Sequence, residues 1–134
     1  QIMPRKTLKE RRERDATRNT PVRIQELQEK LDGSEDADSI MMSILEVFTE
    51  TEWVPEPGKY YTFLYIAKSP DITYDEHPLI ACMEVLAWGF KGLNFHWGTM
   101  RNYTWQEVVG ALHVVNNDEI EYLRSLSYAK YRTK

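Results

Sequence analysis

Between Gly58 and Trp97 the chain reads GKYYTFLYIAK, then YDEHPLI, then WGFKGLNFHW. Aromatic and β-branched residues crowd there between glycine and proline punctuation, which suits a small, tightly turned β-sheet and not a helical domain. Anything functional must therefore be mounted on that sheet or beside it. The first strand is expected over Lys59 to Lys68. Tyr60, Thr62, Leu64 and Ile66 alternate there with Tyr61, Phe63, Tyr65 and Ala67, so both faces are apolar or aromatic. A strand covered on both sides is central to a sheet or forms the wall of a small barrel. Ser69 to Asp75 reads as a loop, Leu79 to Trp88 as a second strand and Gly92 to Trp97 as a third. A turn around Gly89 and Gly92 joins the last two.

Helical signals flank this core. Thr20-Pro21 marks a helix start, Ile24, Leu27 and Leu31 follow at helical spacing, and Asp32-Gly33 ends the segment. Ile40, Met41, Ile44, Leu45 and Phe48 mark a second amphipathic helix. Glu46, Glu50 and Glu52 gather toward its C-terminal end, against the helix dipole, so packing or a basic neighbour must compensate. Thr104-Trp105-Gln106-Glu107 is a capping box and predicts a helix over Trp105 to Leu112. Gly110 weakens that helix, and Leu112 to Val115 could instead close the sheet as a strand. Asp118 is expected to cap a last helical turn or two through Arg124, and Tyr128 to Lys134 is a basic, tyrosine-bearing tail.

The expected fold is α+β. A small curved antiparallel sheet or SH3-like barrel, from about Lys59 to Trp97, is packed by two N-terminal helices and one or two C-terminal helices. A chain of 134 residues supports one globular domain with its own core. It divides into a basic arm (1–19), a helical segment (20–57) and a β-rich core with C-terminal helices (58–134). Cys82 is the only cysteine, which excludes an internal disulfide and suits a reducing compartment. The longest apolar run, Pro78 to Met83, is too short to span a bilayer, and the N-terminus is too charged for a signal peptide. A soluble, intracellular protein without membrane contact is expected.

Charge is unevenly placed. Residues 1–31 hold nine Lys/Arg against five Asp/Glu, residues 32–57 hold eight acids and no base, and residues 58–134 balance at eight of each. The arm, with Arg11, Arg12 and Arg14, is the part suited to a polyanion such as DNA. Glu10, Glu13 and Asp15 interleave with those bases, a pattern more often found on a solvated or partner-bound helix face. Lys130, Arg132 and Lys134, near Tyr128 and Tyr131, form a second basic patch with stacking groups.

Asp75, His77 and His96 are the residues from which a divalent metal site could be built, if the strands bring them together. The competing structural reading is that Asp75 closes its loop on backbone amides while His77, before Pro78, is held extended. In Asn94-Phe95-His96-Trp97, strand alternation sends Asn94 and His96 to one face and Phe95 and Trp97 to the other. A nuclease motif beginning at Pro70-Asp71 fails, because Leu86 stands two positions after Glu84 where lysine is needed. Gly89-Phe90-Lys91-Gly92 lacks the strand, glycine and helix order of a phosphate loop. Cys82 has no basic neighbour, and His113 flanks a valine pair; both read as core residues. No cofactor is implied.

The series Gly58, Tyr61, Phe63, Tyr65, Lys68, Tyr74-Asp75, Pro78-Leu79-Ile80, Gly89-Phe90, Gly92, Asn94, His96-Trp97 and Arg101 resembles a family of small proteins. These are encoded by large contractile-tailed bacteriophages of marine bacteria and cyanobacteria. The resemblance covers roughly Gly58 to Arg124 and carries over no catalytic residue. It implies a phage origin, and with it a place in the virion or in the cytoplasm of the infected host. The functional expectation is a non-catalytic accessory or virion-associated protein working through a protein partner, with DNA contact by the arm. Tyr61, Tyr65, Phe90 and Trp97 are the aromatic residues expected on an exposed face. The alternative is a metal-dependent hydrolase or nuclease centred on Asp75, His77 and His96.

Overall fold

In a computed structural model of the chain, residues 21–68 and 72–133 are described. The basic arm, with Arg11, Arg12 and Arg14, lies outside them. The chain is α+β, as expected. Helices α1 (Val22–Lys30) and α2 (Ala37–Val47) come first. Seven strands follow: β1 (Thr51–Glu52), β2 (Tyr60–Tyr65), β3 (Thr73–Asp75), β4 (Leu79–Val85), β5 (Gly89–Asn94), β6 (Thr99–Thr104) and β7 (Val108–Val115). Helix α3 (Ile120–Ser125) and strand β8 (Tyr131–Thr133) close the chain, and single 3-10 turns occupy Trp105–Glu107 and Asn117–Glu119.

Helix α1 starts after Pro21 and buries Ile24 and Leu27. Helix α2 is capped by Asp36, whose carboxylate accepts from the Ser39 amide at 2.8 Å, and it buries Ile40, Met41, Ile44 and Val47. Glu46 in its last turn and Glu52 beyond it do have basic neighbours. Lys30 Nζ lies 3.2 Å from Glu46, and Glu52 accepts from Lys59 and from the Tyr61 hydroxyl.

The main sheet is antiparallel, in the order β1-β7-β2-β4-β5-β6. Strand β2 is central, as its two apolar faces require. Tyr61, Phe63 and Tyr65 enter one core with Ile80, Cys82, Phe90, Tyr103, Leu112 and Val114. Tyr60 and Leu64 face a second core, where α1, α2 and the C-terminal segment contribute Ile24, Leu27, Met41, Ile44, Phe48, Leu123 and Tyr128. A meander of β2, β4, β5 and β6 that passes through a 3-10 turn and returns β7 to β2 has SH3-like connectivity.

The sheet does not stop at Trp97 as expected, because β6 and β7 extend it to Val115. Strand β5 begins at Gly89, and the turn before it is at 86–88, where Leu86 and Gly89 exchange backbone hydrogen bonds of 2.7 and 3.3 Å. Gly89 is needed by the strand itself: a Cβ there would meet the Tyr103 carbonyl oxygen at 1.9 Å. The capping-box residues make one 3-10 turn and no helix. Thr104 Oγ1 does reach Glu107 at 2.5 Å, but Tyr65 and the Lys68 amide also bond that carboxylate. Those bonds tie the turn to the end of β2, beside which Val108 and Val109 pair with Tyr65 and Leu64. Tertiary pairing thus overrides the local cap. Asn116, not Asp118, caps the next turn, in a reciprocal box with Glu119. Part of the expected loop and part of the tail pair with each other as β3 and β8.

Candidate functional site

Asp75 stands at the end of β3 and is buried; its Oδ1 accepts from the His77 amide at 2.8 Å. That bond is the loop-closing role its sequence position suggested. Its other oxygen, Oδ2, lies 3.6 Å from His96 Nδ1. The His77 ring points elsewhere, with Nε2 2.9 Å from Asp38 Oδ1. Two of the three residues singled out for a metal therefore meet, and the third is turned toward α2. His96 is not on a strand, so alternation does not set its direction. It sits in a turn at 95–98, where Asn94 Oδ1 accepts from the amides of His96 (2.9 Å) and Trp97 (3.0 Å). Gly98 completes the turn at φ 74, its amide bonded to the Asn94 carbonyl at 2.7 Å. Asn94 Nδ2 donates to the Tyr103 hydroxyl at 3.0 Å, and the His96 ring meets Tyr128 edge-on at 4.8 Å.

Asp38, Glu76 and His77 bring three liganding atoms within 4.8 Å of one another. This group was not legible in the sequence, since Asp38 lies in another element. Its negative charge is already answered. Lys130 Nζ is 3.0 Å from Asp38 and 3.7 Å from Glu76, and Arg132 Nε is 2.6 Å from Glu76. Hydrogen bonds from His77 and then Lys130 hold the Asp38 carboxyl below its ordinary value, and Asp38 in turn raises Lys130. The cluster works as a latch joining α2 and the residue after β3 to the C-terminal segment.

Among the described residues, the buried side-chain nitrogen and oxygen atoms without a hydrogen-bond partner are Asp75 Oδ2, His77 Nδ1, both ring nitrogens of His96, and Trp97 Nε1. Buried polar groups are overwhelmingly paired in folded proteins. Their confinement to one corner, between the end of β3 and the 95–98 turn, marks that corner as chemically distinct.

Three aromatic residues expected on an exposed face are in the core instead. Tyr61 and Phe90 are fully buried and Tyr65 nearly so. The Tyr61 hydroxyl donates to Glu52 (2.6 Å) and the Tyr65 hydroxyl to Glu107 (3.0 Å), which satisfies their polar ends, while Phe90 stacks on Tyr103 at 5.3 Å. Only Trp97 keeps partial exposure, with the Arg101 guanidinium 3.9 Å from its ring centre and Tyr131 at 5.0 Å. Cys82 is buried, its thiol pushed up by burial, and His113 Nδ1 lies 2.6 Å from the Phe48 carbonyl oxygen. Cys82 is a core residue, as read from sequence, whereas His113 is only half-buried and outside both cores.

The most exposed large apolar side chain among the described residues directly follows β1. Trp53 is 76% exposed and Val54 58%. With Trp105, Val108, Gly110 and Leu112 they line a groove of about 430 Å³. Strand β1 pairs only with Leu112 and His113 of β7, so toward Val108 that edge has no strand partner among the described residues. No helix among the described residues is long and apolar enough to cross a membrane. No protein-family model, curated protein or solved structure matches the chain.

Proposed function

We propose that the chain is a non-catalytic accessory or virion-associated protein of a contractile-tailed phage that works by docking a partner protein at the open edge of β7. The observation that carries this reading is Trp53, a large exposed apolar side chain beside a sheet edge that has no strand partner among the described residues. An exposed aromatic next to an edge suits the addition of an extended segment, whose backbone pairs with the edge while its side chains fill the groove. Glu50, Glu52 and Glu56 flank Trp53-Val54 along the chain, and Lys59 pairs with Glu52 and Glu56, so this stretch carries a net negative charge among the described residues. The occupant is accordingly an extended, basic and aliphatic segment of another protein. The phage setting rests on the sequence resemblance, and DNA contact by Arg11, Arg12 and Arg14 remains a proposal about the arm.

The test is a photo-cross-linking residue at Val109 in the intact chain, produced in host cells during infection. A protein adduct mapping to a basic extended segment, abolished by Trp53→Ser without loss of thermal stability, is the expected result. An adduct to nucleic acid, or a protein adduct indifferent to Trp53→Ser, overturns the reading.

The second reading, a metal-dependent hydrolase or nuclease on Asp75, His77 and His96, keeps the Asp75–His96 approach in its favour. Catalytic metals of this kind take three protein ligands and keep one open position. The His77 ring, bound to Asp38, does not supply the third.

A further inference from the structure

We propose that the groove beside the β7 edge is filled, in the free protein, by residues 5–9 of the same chain, which hold it closed until a partner displaces them. The inference rests on the reading of that edge as a docking site and adds its regulation. Residues 1–20 lie outside the described ones. Their charge, composition and point of attachment are what fit them to the groove.

Charge comes first. Of the three glutamates flanking Trp53-Val54, Glu52 and Glu56 share Lys59, and Glu50 has no ion pair among the described residues. A basic segment is attracted there and an acidic one repelled. Residues 1–9 carry Arg5, Lys6 and Lys9 and no acid, whereas residues 10–20 mix four arginines with three acids. The same short basic stretch holds Leu8, and the groove has room for an aliphatic side chain, since a Cβ on Gly110 would meet nothing within 4 Å.

The attachment point is near. Arg23, in the first turn of α1, places Nη1 3.3 Å from the Val114 carbonyl oxygen on β7. Leu112, at the near end of the groove, follows closely along that strand, and Val108, at its far end, is about 20 Å from Val114. Residues 10–20 can span up to about 36 Å, which covers that distance with the Arg23 side chain and the step back to Pro21 added. Tethering also makes a weak fit sufficient. A connection of this length gives an effective concentration on the order of 1 mM. A segment with an intrinsic Kd of about 0.1 mM would then fill the groove about nine-tenths of the time and weaken a partner's apparent affinity about tenfold.

The test places the same photo-cross-linking residue at Val109 in the intact chain, now purified and without partner. Irradiation should join Val109 to residues 5–9 of the same molecule, in a yield that is unchanged by dilution and reduced by salt. Arg5→Glu, Lys6→Glu and Lys9→Glu together should abolish that adduct with the Tm unchanged. In host cells during infection, the same charge reversal should raise the yield of the partner adduct by up to about tenfold. No adduct to residues 5–9, an adduct that survives the charge reversal, or one that fades on dilution as between two copies overturns the inference. A partner adduct indifferent to the reversal also overturns it and leaves docking in place. An arm adduct in the purified chain with no partner adduct in cells upholds the self-contact and overturns the docking reading instead.

Discussion

Arg23 in α1 and Glu119, 96 positions later, form a two-pronged ion pair, with Nε 2.8 Å from Oε2 and Nη2 2.5 Å from Oε1. Glu119 is 2% exposed and also accepts from the Asn116 amide, so the same carboxylate caps the turn before α3 and holds α1 to it. Arg23 adds a bond to the Val114 carbonyl and lies 4.4 Å from the centre of the Phe48 ring. One arginine therefore gathers α1, the end of α2, β7 and the entry to α3.

Removing Arg23 strands a buried carboxylate, and the cost should be that of an unpaired buried charge. Arg23→Ala is expected to lower stability by about 3 kcal/mol in urea denaturation. Glu119→Gln should cost less, about 1–2 kcal/mol, because Arg23 is 21% exposed and can recover water. The double variant should be more stable than the sum of the two losses implies. A loss below about 0.5 kcal/mol for Arg23→Ala would place the pair with ordinary surface bridges.

Gly89→Ala tests the pairing of β5 with β6. The added Cβ would sit 1.9 Å from a backbone oxygen, and backbone cannot step aside as a flexible side chain can. A loss of about 3 kcal/mol or more is expected, with a disturbed near-UV circular dichroism spectrum from Phe90 and Tyr103. Gly98→Ala meets open space but must hold φ 74, and should cost only about 1–2 kcal/mol. Equal costs at the two positions would contradict the close approach.

The two-faced apolar pattern of β2 was legible because a strand buried on both sides has no polar alternation to confuse it. Helices α1 and α2 were legible from 3.6-residue spacing. Strand β7 was legible only in its second half, where Leu112 to Val115 stood as the alternative to a helix; its first half was not, because Thr104 and Glu107 satisfy a helix-start rule locally while Tyr65 and Lys68, far away in sequence, recruit the same glutamate. Strands β3 and β8 are too short to carry a period and exist only by pairing with each other. The site divides the same way. Asp75 and His96 could be named from residue type, yet the partner of His77 is an aspartate in α2 that no local spacing connects to it. Composition also misplaced Tyr61, Tyr65 and Phe90, since an aromatic residue suits a binding face and a core equally well.

Tyrosine ionisation offers a global test of that aromatic core. Burial, first among the causes, raises the hydroxyls of Tyr61, Tyr65, Tyr103, Tyr122, Tyr128 and Tyr131. Tyr65, also bonded to Glu107, is pushed up to about 12, and Tyr131, beside Asp75, likewise to about 12. In the unfolded chain these groups ionise near 10. Above that value the unfolded state binds fewer protons than the folded one, so stability falls as pH rises. The contribution is complete below about pH 10 and is lost as pH passes through the raised folded values, which for Tyr65 and Tyr131 lie at about 12. Tyrosinate absorbance followed through an alkaline titration should therefore show most of the ionisation appearing together, in step with loss of circular dichroism. The Tyr61→Phe variant should lose its share of that coupling while leaving Glu52 with Lys59 as partner. A smooth titration centred near pH 10 with the fold intact would mean that these hydroxyls reach solvent, and the packing of β2 against β4, β5 and β7 would have to be redrawn.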